Sequence, residues 1–175
     1  MYYCIACNNF YKQEGDEVRK PKIYLETTIF NHFFDTERDA HADTVELFRE
    51  IQAGKYDAYT SSYVIDELSQ ADEPKRSNML ALIAEYNITV LDAADEARDL
   101  ADIYVSEGII PVKYRYDGLH IAIATINDLE YIVSLNFKHI NKVKTKTMTG
   151  LINVRNGYKQ ILITTPMEVT ENDEN

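Results

Sequence analysis

Two cysteines and no tryptophan in 175 residues are the first absences in this chain. Cys4 and Cys7 form a lone CxxC with no second pair to complete a zinc site and no βαβ pattern around it, so the reading is two inert thiols in a loose terminus. A chain of this length buries a sufficient core without covalent staples. No apolar run approaches the roughly 18–20 residues of a membrane span, which predicts a soluble protein without membrane association. Residues 1–10 lack both a basic start and an apolar stretch of signal-peptide length, so a cytoplasmic location is the default expectation. Glycine and proline are sparse, and there is no internal repeat, low-complexity tract or interdomain linker. One domain is therefore expected over residues 21–170, behind a loosely ordered N-terminal extension at 1–20 and ahead of a polar tail at 171–175.

The other conspicuous absence is local. Between Tyr131 and Met167 there is no Asp or Glu, yet Lys138, Lys142, Lys144, Lys146, Arg155 and Lys159 all fall there. The formal charge of the whole chain is −11, which argues against coating nucleic acid by bulk electrostatics. The basic stretch reads either as a solvated helix face or as a polyanion-binding patch, and both stay open.

Strands alternate with helices. Residues 23–25 predict a first strand, 29–34 a short helix with Thr27 and Thr28 as candidate N-caps, and 37–53 an amphipathic helix stopped by Gly54. Strand 58–60 leads into a helix capped by Ser61 or Ser62 and ending at Leu68, and Pro74 suits the first turn of another. Strand 88–91 precedes a helix at 93–107 for which Asp92, with Asp95 three residues on, is the expected cap. A helix at 116–128, a strand at 131–134, a basic helix at about 141–156 closed by Gly157, and a last strand at 161–164 complete the pattern. Alternation of this kind predicts an α/β fold, a three-layer α/β/α sandwich around a mainly parallel sheet.

The chemistry concentrates at the ends of these strands. Glu26 follows the first strand directly, and in such folds the C-terminal sheet edge is where ligands bind. Glu67 and Asp117 recur at comparable junctions. Asp66 is an equally good acid beside Glu67, and Asp117 is also a competent helix cap. Carboxylates gathered within a few Å raise one another's pKa, and a hard divalent cation removes that penalty. Mg²⁺ or Mn²⁺ held by Glu26, Glu67 and Asp117, with Asn136 as an auxiliary oxygen, would suffice. Such an ion generates a nucleophile from water and neutralises phosphoryl charge, which points to phosphodiester hydrolysis. His120, near Asp117 on one helical face, reads as a packed or hydrogen-bonding histidine more readily than as a general base.

In this order, Leu25-Glu26-Thr27-Thr28, Glu67, Asp117-Gly118-Leu119-His120-Ile121-Ala122-Ile123-Ala124 and Ser134-Leu135-Asn136-Phe137-Lys138-His139-Ile140 resemble the PIN domain of the VapC-type toxin ribonucleases. The resemblance spans about residues 21–169. It departs at two places, because the first acid is usually Asp rather than Glu26 and the fourth position is commonly Asp rather than Asn136. What the resemblance implies is a metal-dependent endoribonuclease with Glu26, Glu67, Asp117 and Asn136 as catalytic and metal-binding residues. It also implies RNA as substrate, products with a 5′-phosphate, a cognate antitoxin protein as partner, and a homodimer. Thr27 and Ser134 are placed to hydrogen-bond the ligand carboxylates, and Lys138, His139, Lys142, Lys146 and Arg155 to hold RNA phosphates. Glu26 and Asn136 favour a rival, a catalytically weak PIN-like module that binds RNA or protein. A receiver-type phosphoacceptor is a further rival, for which Asp92 fits poorly.

Overall fold

The computed structural model describes residues 19–170; Cys4, Cys7, all of the expected extension except its last two residues, and the tail at 171–175 lie outside the described residues. The first strand, β1 (Lys22–Leu25), is the centre of the molecule. Its Ile23, Tyr24 and Leu25 are fully buried, as befits a strand covered on both faces. The chain continues through α1 (Thr27–Phe33), α2 (His41–Gln52), β2 (Asp57–Ser61), α3 (Ser62–Leu68), α4 (Lys75–Glu85), β3 (Thr89–Leu91) and α5 (Asp95–Ser106). A 3₁₀ turn at Val112–Tyr114 leads into α6 (Arg115–Ile126), then β4 (Tyr131–Val133), α7 (Val143–Arg155), β5 (Leu162–Thr164) and α8 (Pro166–Val169).

All pairings are parallel, in the order β3-β2-β1-β4-β5. Tyr24 of β1 pairs with Tyr59 on one side and Ile132 on the other. The chain thus leaves β1 in one direction and returns to its other side through β4. That reversal opens a crevice beyond the C-terminal ends of β1 and β4, the position where open α/β sheets bind ligands. The α/β architecture expected from the alternating pattern is the observed one.

Helix α6 is buried from Gly118 through Thr125, because it is covered by α5 as well as by the sheet. Its apolar run of Leu119, Ile121, Ala122 and Ile123 answers that double burial, at about 1.5–3 kcal/mol per large side chain. His120 is the ionisable residue within it.

Several helix starts differ from the sequence expectation. The cap of α1 is the carboxylate of Glu26, which accepts from the Thr28 amide at 3.2 Å, so Thr27 and Thr28 are already helical. Asp92 does not cap α5. That helix begins at Asp95 after an Ala94 without a side-chain cap bond, and Asp95 and Glu96 place their charges in its first turn instead. Asp117 is the third residue of α6 and caps nothing. The basic helix starts at Val143, since Ile140 and Asn141 close a turn by donating to the Asn136 carbonyl at 3.1 and 2.9 Å. Ser61 does cap α3, accepting from Val64 N–H at 3.3 Å. Gly157, at φ +85°, follows α7 in the left-handed region that favours glycine. Helix α8 is an addition, announced by a Thr165–Glu168 capping box with Pro166 in its first turn.

Candidate active site

Each acid reaches the crevice from a different junction. Glu26 terminates β1, Glu67 lies in the last turn of α3 behind β2, and Asp117 opens α6. The Asn136 position follows β4.

Glu26 is 4 % exposed, and its carboxylate is held through one oxygen. Oε2 accepts from the Thr28 amide, the Thr28 hydroxyl and the Ser134 hydroxyl, the last at 2.9 Å. Oε1 carries no hydrogen bond among the described residues. The Thr28 oxygen accepts in turn from Leu135 N–H at 2.8 Å, and the Ser134 oxygen from Asn136 N–H at 3.0 Å. Two hydroxyls therefore tie the carboxylate after β1 to the loop after β4.

Glu67 is held by groups from three elements. Its Oε2 accepts from the Thr27 hydroxyl and lies 3.2 Å from His120 Nε2, and the Tyr63 hydroxyl adds its support. Behind the imidazole, His120 Nδ1 meets the Tyr24 hydroxyl at 3.0 Å, which meets Ser61 Oγ at 2.8 Å. Burial pushes the Glu67 carboxyl up, yet hydrogen bonding to His120 and the imidazole's charge outweigh it and hold the group below the usual range. Burial likewise disfavours a charged His120, but the bond to Glu67 and the charges of Glu26, Glu67 and Asp117 raise its pKa. One imidazole therefore feels all three acids.

Asp117 goes the other way. Burial raises its pKa, outweighing His139 and His120, and the charge of Glu67 adds to the rise. Its Oδ1 accepts from the Asn136 amide at 3.0 Å, and its Oδ2 lies 2.8 Å from His139 Nδ1. Asn136 Oδ1 accepts from His139 N–H at 3.1 Å. The His139 ring stacks on Tyr114, with centroids 3.7 Å apart. His139 is thus a partner of the Asp117 carboxylate, not a free contact at the rim.

The expected basic residues divide. Lys138 and Lys142 form no ion pair among the described residues, and Lys138 lines a groove of about 610 Å³ with Arg38, Phe137, and the Thr28 and Asn136 that hydrogen-bond Glu26 and Asp117. Lys146 pairs with Glu168 at 3.4 Å, and Arg155 pairs with Glu107 at the far end of α7. Thr28, Tyr24 and Tyr114 are site residues that the sequence reading passed over. A hydroxyl two residues after a strand-end acid is a recognisable local cap, and a tyrosine in a buried strand needs a polar partner.

The donor set suits a hard divalent cation by type, since it consists of carboxylate and amide oxygens. Among the described residues no three His, Cys, Asp or Glu side chains converge into a metal cage as they stand, because the Glu67 and Asp117 oxygens face protein donors. Glu26, Glu67 and Asp117, with Asn136 as an auxiliary oxygen, are the residues that would hold such an ion. No helix of the described residues is long and apolar enough to cross a membrane.

No family model and no curated protein sequence matches the chain. Solved structures do match its fold. VapBC2 of Rickettsia felis, bound to a DNA fragment from its promoter, aligns over 82 % of this chain and 98 % of that one, at 14 % identity and a TM-score of 0.51. A toxin–antitoxin complex from Klebsiella pneumoniae aligns over 69 % and 92 %, at 12 % identity and a TM-score of 0.51. VapC20 of Mycobacterium tuberculosis, described as a toxin that cleaves the sarcin–ricin loop, aligns over 70 % and 97 %, at 14 % identity and a TM-score of 0.48. The parallel sheet and its order of helices thus give this chain the PIN-domain fold of VapC-type proteins.

Proposed function

We propose that the chain is a Mg²⁺- or Mn²⁺-dependent endoribonuclease of PIN type that acts in the cytoplasm as the toxin of a toxin–antitoxin pair. The observation that carries this reading is the linkage of the acids at the C-terminal sheet edge: Ser134 bonds Glu26 at 2.9 Å and Asn136 N–H at 3.0 Å, the Asn136 amide bonds Asp117 at 3.0 Å, and His120, three residues after Asp117, meets Glu67 at 3.2 Å. Among the described residues no lysine or arginine pairs with these three acids, whose ion-pair partners are His120 and His139, and such a set suits a divalent ion and a phosphodiester.

The bound ion would lower the pKa of a water molecule and neutralise charge on the phosphoryl group. The protein's own residues do the positioning. Ser134 and Thr28 fix the Glu26 carboxylate through Oε2, and Thr27 and His120 fix Glu67. His139 and Asn136 hold Asp117. Lys138 and Lys142 contact the flanking phosphates, which positions the strand without reading its sequence. Hydrolysis leaves a 5′-phosphate on one fragment and a 3′-hydroxyl on the other. A cognate antitoxin and a homodimeric state belong to the same proposal, supported by structural neighbours that include a toxin–antitoxin complex and VapBC2.

Cleavage of a fluorescent single-stranded RNA panel with and without Mn²⁺ tests the reading, with Asp117→Asn as control. Metal-dependent cleavage that disappears in the variant is expected, and cleavage that persists in it would assign the activity elsewhere. One observation favours a second reading, a binding module of weak activity. Asn136 turns an amide nitrogen to Asp117, where a fourth acid would leave an oxygen. Metal-independent RNA binding without cleavage would decide for that module.

A further inference from the structure

A path of aromatic contacts runs from the buried His120 to solvent. His120 is 1 % exposed, and Tyr63 packs against it with ring centroids 5.1 Å apart. Tyr63 in turn stacks on Tyr116, with centroids 5.4 Å apart and planes within 17° of parallel. Tyr116 precedes Asp117 in the chain and is 56 % exposed. Stacked on Tyr63 by one face, it offers the other to solvent. The platform is braced from below, because the Tyr63 hydroxyl lies beside the Glu67 carboxylate and feels Asp117 as well. Little ordering is therefore left to be done when a flat ligand lands on it.

The local charge says what that ligand is. The chain is acidic overall and the crevice is lined with carboxylates, so a polyanion is poorly held there by charge alone. Lys138, without an ion pair among the described residues, lines a groove with Asn136, whose amide donates to Asp117 at 3.0 Å, and Asp117 follows Tyr116 in the chain. A neutral, flat group attached to a phosphate backbone suits both features at once, with its ring on Tyr116 and a flanking phosphate at Lys138. That group is a nucleobase, and only an unpaired one exposes its face.

We infer that Tyr116, backed by Tyr63, is a stacking platform for one unpaired nucleobase next to the scissile phosphodiester. This inference rests on the nuclease reading above, and Tyr116 is a positioning and specificity residue within it.

The test uses the full chain carrying Asp117→Asn, so that RNA is bound and not cut, with single-stranded RNA containing one 2-aminopurine and the same sequence as a duplex. Binding quenches the fluorophore when it occupies the platform position, and the duplex binds more weakly. Adding Tyr116→Ala raises the Kd for the single strand roughly 5- to 150-fold and relieves the quenching, while Tyr116→Phe stays within about twofold. The dependence of Kd on salt is unchanged, since no phosphate contact is lost. An abasic nucleotide at the quenched position abolishes the difference in affinity between the Tyr116→Ala chain and its parent. Tyr116→Leu, which keeps apolar cover over Tyr63, gives the same loss of quenching and guards against a folding defect in the alanine variant. Equal affinity and quenching in all these variants would overturn the inference, as would weakened self-association of the Tyr116→Ala chain with RNA affinity intact, which would assign the ring to a protein interface. The two failures separate cleanly. Wild-type cleavage with Mn²⁺ but no effect at Tyr116 removes the platform alone, whereas neither RNA binding nor cleavage by the wild type removes the nuclease reading and the platform with it.

Discussion

His120 Nε2 lies 3.2 Å from Glu67 Oε2, inside a histidine that is almost wholly buried. The contact joins the middle of α6 to the end of α3 and makes the helix carrying Asp117 dependent on the acid behind β2. Its shifts give the sign of a pH effect. The raised His120 pKa contributes stability that is fully present below the unfolded value of about 6.5 and is lost as pH rises through the folded value. The lowered Glu67 pKa contributes stability present above about 4.5 and lost as pH falls through its folded value. Asp117, raised by burial, opposes folding once pH rises through its own ordinary range. In EDTA, the melting temperature should therefore decline above about pH 6.5, and His120→Asn should flatten that decline. At pH 6 the substitution should cost about 2 kcal/mol, or roughly 4–8 °C, because it leaves the half-buried Glu67 carboxylate without its charge partner. An unchanged pH profile in the variant would show that the pair does not govern it.

Mn²⁺ should raise the melting temperature of the wild type. At 100-fold over Kd, linkage gives about 2.7 kcal/mol, or roughly 5–10 °C for a domain this size. Asp117→Ala should abolish the shift, and differential scanning fluorimetry across millimolar Mn²⁺ measures both.

Thr28→Val should test the tie between β1 and the loop after β4. The hydroxyl donates to Glu26 Oε2 and accepts from Leu135 N–H, so its loss leaves two polar groups short of a partner. A cost of about 2 kcal/mol in urea unfolding is expected. Glu26 should also become less well oriented, with cleavage requiring more Mn²⁺.

Asn136→Asp should act in opposite directions with and without metal. A carboxylate 3.0 Å from Asp117 Oδ1 replaces a donated hydrogen bond with repulsion, so the metal-free protein should melt lower. Metal removes that repulsion and gains a ligand charge, so the thermal shift with Mn²⁺ should exceed that of the wild type. Equal shifts would place residue 136 outside the ion's reach.

Lys142→Ala should weaken single-stranded RNA binding at every sequence and reduce the salt slope by about 0.7, the loss of one phosphate contact. Arg155→Ala should leave the slope unchanged, because its guanidinium is already paired with Glu107 at the other end of α7. Fluorescence anisotropy across a salt series reads the difference.

How far the sequence carried the structure follows from which interactions are local. Strand and helix identity, the Ser61 cap, the glycine that closes α7, and the placement of acids behind β1, in α3 and at the start of α6 depend on side-chain periodicity and on neighbours within a few residues. Those were legible, and with them the fold class. The caps of α1 and α5 were not. Glu26, Thr27 and Thr28 are all competent to start a helix, as are Asp92 and Asp95, and the choice depends on backbone angles set where the strand meets the sheet edge. The partners of the acids were likewise beyond any local signal. Thr27 meets Glu67 40 residues away, and Ser134 meets Glu26 across 108. Nor does composition reveal that Lys146 and Arg155 are taken up by Glu168 and Glu107 while Lys138 and Lys142 form no ion pair among the described residues. The sequence by itself determined which chemistry is present, because acids at strand ends are carried to one edge by any parallel α/β sheet. Only the tertiary structure decided how that chemistry is tuned, because burial and pairing set the direction in which Glu67, Asp117 and His120 titrate, and both are properties of residues brought together from distant parts of the chain.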